Sequence, residues 1–170
     1  LLLTAPVTLT GMVVGKFLAA LTMFVGCVAV SCINFIPLYV IANAERGNTS
    51  YDTTHIGPVS SQIIGGLIGL ILIGAAFIAI GTFISSMTEN QLAAAVITIS
   101  VIIVLVLVGV VSQFVDVYWV RAVLDWISVL SRFGNFGNGI FDFASLFYYA
   151  SIAFIFLFLT VRIYEKRRWG

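Results

Sequence analysis

The chain has 170 residues, of which 61% are hydrophobic and 9% charged, with a formal net charge of +1 and a mean hydropathy of +1.16. A soluble domain carries about 25% charged residues, so this composition excludes a water-soluble fold and points to an integral membrane protein. The small net charge gives no electrostatic ground for a nucleic-acid partner, and none is expected.

Residues 1–10 are a short apolar piece broken by Pro6, too short to span, and Thr8 or Thr10 is placed to cap the helix that follows. The first span is expected over Met12–Ala42, with Lys16 near its start snorkelling to the headgroups and Pro37 kinking or ending it near its far side. A helix of that length exceeds the hydrocarbon and must tilt or protrude. Residues 43–60 collect Gly, Pro, Asn, Ser and both charge signs, the pattern of a loop.

The second span is expected over Gln62–Met87. Its Gly65 and Gly69 form a GxxxG pair, and Ala76 and Ala79 continue the same face, which reads as a helix-packing stripe. The third span, Leu92–Val111, is dense in Val and Ile and reads as a lipid-facing helix. Between them lies one polar knot, Thr88-Glu89-Asn90-Gln91. No Asp, Glu, Lys or Arg occurs from Thr53 to Thr88 or from Gln91 to Val115, so each run is long enough to cross roughly 30 Å of hydrocarbon. Two helices joined by so short a link are antiparallel neighbours.

Residues 114–140 differ from the rest. Arg121, Asp125, Ser128 and Arg132 follow the spacing of one helical face and Trp119 and Trp126 lie seven apart on another, as in an amphipathic helix at the interface. Gly134, Gly137 and Gly139 are expected to break that helix, giving a re-entrant segment whose backbone must be shielded by protein or water. Asp142 is placed to cap the fourth span, Phe143–Val161, which ends in the basic tail 162–170. The resulting architecture is an all-α, four-helix transmembrane bundle with an outward amphipathic re-entrant segment, in a single domain. Continuous apolar runs exclude a barrel, whose strands alternate with period two.

Lys16, Arg162, Lys166, Arg167 and Arg168 fall on the side of the 88–91 knot, against Arg46, Arg121 and Arg132 on the other. The excess of Lys and Arg places both ends in the cytoplasm of a cell membrane. No ionisable side chain is placed at mid-depth, which speaks against an ion-coupled carrier, and neither paired carboxylates nor a nucleophile with its base occurs at depth. No enzyme activity, catalytic residue, cofactor or metal is therefore expected on this chain. Cys27 and Cys32, five apart on diverging faces, read as small buried apolar residues; His55 stands without other ligands; Asn48-Thr49-Ser50 is a glycosylation sequon of low specificity. Ser31, Asn34, Thr98 and Ser100 could line a path or bond to helix carbonyls.

Several blocks carry a resemblance: Leu1-Leu-Leu-Thr-Ala-Pro-Val7, Gly15-Lys-Phe-Leu-Ala-Ala20, the run from Gly74 to Gln91, Phe133–Gly139, Tyr148-Tyr149, and Leu159 through Trp169. Together they resemble the permease of an ABC-2 type exporter of the gliding-motility or copper-processing type, with the Gly74–Gln91 run the most specific. The resemblance implies a six-span permease of which these four spans are the third to sixth, with residues 1–7 as the tail of a coupling segment. It also implies pairing with a second permease copy and docking of ATPase subunits that carry the ATP and Mg. Leu2, Leu3, Thr4 and Pro6, with Thr88, Glu89 and Asn90 as a secondary patch, are then the expected ATPase contacts; the plain alternative for Glu89 and Asn90 is a solvated turn with a helix cap. The start at Leu1, without methionine or a basic leader, reads as an internal start with upstream sequence missing, or with the first two spans on another chain. That leaves a non-transporting membrane scaffold or assembly factor as the alternative to an exporter subunit, with a channel or secondary carrier behind both.

Overall fold

The computed structural model describes residues 8–46, 60–114, 117–129, 132–140 and 142–169. Among these, the regular elements are α1 (Leu9–Cys32), α2 (Phe35–Arg46), α3 (Ser60–Met87), α4 (Gln91–Val111), α5 (Tyr118–Ile127), α6 (Phe133–Gly137) and α7 (Phe143–Trp169), with a 3-10 turn at Ser112–Phe114. Four stretches are long and apolar enough to cross a membrane: Leu9–Ile41, Ser61–Met87, Gln91–Phe114 and Phe143–Arg167. The chain is thus a helical, multi-pass membrane protein.

The helix ends follow from capping chemistry. Thr8 Oγ1 accepts from the Gly11 N–H at 3.3 Å at the start of α1, and Asn90 Oδ1 accepts from the Leu92 N–H at 3.0 Å at the start of α4. Asp142 Oδ1 accepts from the Ala144 N–H at 3.0 Å at the start of α7. Each satisfies a donor that has no partner within its own helix.

The first span is not one helix. It is interrupted at Ile33–Asn34, four residues before Pro37, rather than at the proline itself. The pyrrolidine ring excludes the carbonyl of the residue four earlier, here Ile33, and offers it no N–H. The chain closes the gap with tight bonds from Ile33 to Val30, Asn34 to Ser31 and Ile36 to Ile33, each 3.1 Å. Pro37 then occupies the first turn of α2, where a missing N–H costs nothing.

α3 is the central element. It has its most extensive interface with α7 and also touches α1, α4 and α6. Its most apolar window is 39% buried within the chain, against 11% for α4 and none for the first span. Ala76 and Ala79 are fully buried, and Ile73, Ala76, Val129, Phe136 and Tyr149 form the core. The outer faces of α1 and α4 show Met23, Val30, Ile99, Ile103, Val104 and Leu107 to the surroundings, as lipid-facing helices do. Cys27 is exposed and Cys32 half-buried, both free and both facing the gap between the first span and α3, so neither is the buried core residue expected from the sequence.

Three further expectations are corrected. The amphipathic helix ends at Ile127, and Ser128 follows in extended conformation, so Ser128 and Arg132 do not share a helical face with residues 121 and 125. The glycine cluster does not interrupt a helix: Gly134 and Gly137 lie inside the single-turn helix α6, and only Gly139, at φ 76°, uses the left-handed region to leave it. The fourth span also runs past Val161 to Trp169 as one helix. The expected contacts Leu2, Leu3, Thr4 and Pro6, the sequon at Asn48, His55 and Asp116 lie outside the described residues, as do the side chains of Arg121, Asp125 and Trp126.

Candidate functional site

Polar chemistry concentrates at the two ends of the bundle. At one end, α3 gives way to α4 through Thr88, Glu89 and Asn90. Thr88 Oγ1 donates to the Ile84 carbonyl at 3.1 Å, and Asn90 is committed to capping α4. Glu89 is left exposed at the apex. The end of α7 closes on this turn: Arg167 Nη2 donates to the Met87 carbonyl at 3.1 Å, satisfying an acceptor that the end of α3 leaves unpaired. Arg162 pairs with Glu165 at 2.9 Å one turn back along α7. Lys16 of α1 stands 5.8 Å from the centroid of the Tyr164 ring, within cation–π range. The beginning of α1, the α3–α4 turn and the end of α7 therefore form one surface.

At the opposite end, α6 lies on the first turns of α3, where the glycines allow it to. A Cβ on Gly65 would stand 2.5 Å from the Phe136 carbonyl oxygen, and one on Gly69 would stand 2.9 Å from Phe136 Cβ and 3.0 Å from the Phe133 ring. The GxxxG pair thus receives α6, while Ala76 and Ala79 continue buried along the helix. Gly139 passes within 3.2 Å of the Ser61 backbone by the same measure. Along α3, Gly65 and Met87 are about 33 Å apart at 1.5 Å per residue, so the two polar ends are separated by the thickness of a hydrocarbon core.

Arg132 and Tyr149 fasten the α6 end to α7. The buried Tyr149 hydroxyl donates to the Val129 carbonyl. The Arg132 guanidinium lies 4.4 Å from the centroid of the Tyr148 ring, and its buried Nε has no hydrogen-bond partner among the described residues. Asp142 Oδ2 accepts from the Ser145 hydroxyl at 2.8 Å. That hydroxyl first, then the Ala144 N–H, hold the Asp142 carboxyl below the ordinary carboxylate value; desolvation opposes them, and the Asn135 side chain and the Arg132 charge add smaller lowering effects.

Between the ends, the bundle is not tightly closed. A cavity of about 240 Å³ opens between α1, α3 and α7, lined by Val13, Lys16, Thr82, Ser85, Thr160 and Tyr164 among others. A second, of about 290 Å³, separates α4 from α7 and is apolar, with Phe83, Leu105, Ile152 and Phe156 on its walls. A third of similar size lies between the first span and α3, beside Ser31 and Cys32. Of the residues weighed as path-lining, Thr98 and Ser100 donate to the carbonyls of Ala94 and Val96, at 2.7 and 2.8 Å. Asn34 is exposed in the turn between α1 and α2. Among the described residues, no group of three or more His, Cys, Asp and Glu could hold a metal.

Sequence reasoning missed Gly74 as a packing residue. The Phe24 ring of α1 occupies the space that a Cβ there would fill. Gly74 lies five residues beyond Gly69, nearly opposite it around the helix, so a search along one small-residue stripe passes over it. Arg132, Tyr148 and Tyr149 were legible only as residue types, because their meeting depends on the fold of the segment between them.

No family model matches the chain, and neither a curated protein nor a solved structure matches it.

Proposed function

We propose that this chain is the transmembrane permease part of an ATP-driven exporter of ABC-2 type, with its energy supplied by a separate ATPase subunit. The reading rests on the sequence resemblance, and one observation carries it further: the Arg167–Met87 bond gathers the α3–α4 turn and the basic end of α7 into one polar surface. That surface is where an ATPase would dock, in the cytoplasm. Glu89, exposed and without a described partner, is its accessible contact; Asn90 is spent on the cap. The α6 end then faces outward, as a shallow re-entry shielded by α3. Two such chains pair around the path. Nucleotide binding on the partner acts by favouring one arrangement of the helices over another through contacts that differ between them.

The test is recovery of the protein, with its natural neighbours, from its own membranes in a mild detergent. An ATPase subunit should co-purify, and Glu89→Lys should reduce its recovery while leaving the permease in the membrane. A non-transporting scaffold with a permease-like fold would yield no nucleotide-hydrolysing partner from the same preparation.

A further inference from the structure

The cavity between α1, α3 and α7 holds a charge that the chain does not neutralise. Among the described residues Lys16 is its one lining cation and no carboxylate pairs with it; Glu165, on the neighbouring α7, is engaged by Arg162. Lys16 lies about 10 Å along α1 from Leu9 at 1.5 Å per residue, where an ammonium meets the edge of the hydrocarbon and unpaired charge is costly.

The other lining groups are arranged by depth. Ser85 and Tyr164 line the cavity with Lys16, which stands 5.8 Å from the Tyr164 ring centroid, and neither hydroxyl is bonded to another described residue. Thr82 and Thr160 lie about one turn deeper and already donate to the carbonyls of Ala79 and Phe156. Val13, Ala20 and Ile78 make the remaining wall apolar. At this end the described side chains bring Lys16, Arg162, Lys166 and Arg167 against Glu89 and Glu165, an excess of positive charge.

We propose that this cleft binds the headgroup of an anionic phospholipid, its phosphate set against the Lys16 ammonium with Ser85 and Tyr164 as neutral donors. The acyl chains follow the wall of Val13, Ala20 and Ile78 into the bilayer. A soluble anion fits less well, because most of the cleft's lining is apolar. The inference rests on membrane insertion and is independent of the export reading.

The test is titration of the full-length protein, in a neutral detergent, with short-chain phosphatidylglycerol, with phosphatidylcholine and with inorganic phosphate, followed by native mass spectrometry and tryptophan fluorescence. Phosphatidylglycerol should bind at a single saturable site. Lys16→Gln should weaken it about five-fold or more, the factor expected for one basic group at an anionic headgroup. Lys16→Arg should keep most of the affinity. Lys166→Gln removes a charge from the same end outside the cleft and should leave the site unchanged. Equal binding of phosphatidylcholine, competition by inorganic phosphate at equal concentration, or equal losses in Lys16→Gln and Lys166→Gln would each overturn the proposal.

Discussion

Arg167 and Met87 are 80 residues apart and joined by one hydrogen bond, from the guanidinium to the last-turn carbonyl of α3. The pairing is favourable twice over: it satisfies an orphan acceptor, and it sets a cation at the negative end of a helix. Being exposed, it contributes little to stability. Its value is topological, because it fixes which helix ends share a surface.

The glycines of α3 supply a controlled comparison. Gly65→Ala places a methyl group against the Phe136 backbone oxygen at 2.5 Å, and a backbone atom cannot rotate away. We expect a loss of about 1–3 kcal/mol, as for other overpacked cores. Gly66, one residue on, has nothing within 4 Å of a built Cβ, so Gly66→Ala should be neutral or slightly stabilising through helix propensity. Thermal unfolding in detergent measures both. Equal effects would mean that α6 does not lie where it is placed.

Gly74→Ala should behave differently from Gly65→Ala. Its obstacle is the Phe24 ring, a side chain that smaller residues can replace. The single variant should lower the unfolding temperature, and Phe24→Leu should restore part of the loss in the double variant. A strictly additive double variant would argue against the contact.

Tyr149→Phe keeps the ring and removes the hydroxyl that satisfies the Val129 carbonyl. A buried acceptor without its donor should cost about 1–2 kcal/mol. The loss should also appear as faster amide exchange at Ser128 and Val129, which this bond ties to α7. Unchanged exchange there would show that the tie is made elsewhere.

Asp142 predicts a pH dependence. Its carboxyl is held below its ordinary value, chiefly by the Ser145 hydroxyl and the Ala144 N–H. Its folded-state value is thus the lower of the two, so its contribution is complete above the unfolded-state value and is lost as pH falls through the folded-state value. The stability gap between the native protein and Asp142→Ala should be constant near neutrality and narrow in the acid range below about pH 4. A gap that widens on acidification would contradict the cap.

The four spans were legible because charge is excluded from hydrocarbon: the gaps between charged residues measure the membrane directly. The Thr88–Gln91 turn and the Asp142 cap were legible for a related reason, since polar residues between apolar runs have few places to go. Pro37 was visible, but its break was placed at the proline, whereas the ring acts on the carbonyl of Ile33 four residues earlier. The glycines at 134 and 137 looked like breakers, yet a five-residue helix pinned to α3 tolerates them, and only Gly139 needs its freedom. The Gly74–Phe24 and Tyr149–Val129 pairings depend on the angle at which helices cross, which a hydropathy pattern does not encode.

The central claim is that the α3–α4 turn and the end of α7 share one side of the membrane, opposite the α6 end. Single cysteines at Glu89, Lys166 and Ile140, in a Cys27→Ser, Cys32→Ser background, measure it with an impermeant maleimide on sealed vesicles of known orientation. The account predicts that Glu89→Cys and Lys166→Cys are labelled together from one side and Ile140→Cys from the other. Labelling of Glu89→Cys and Lys166→Cys from opposite sides would contradict it.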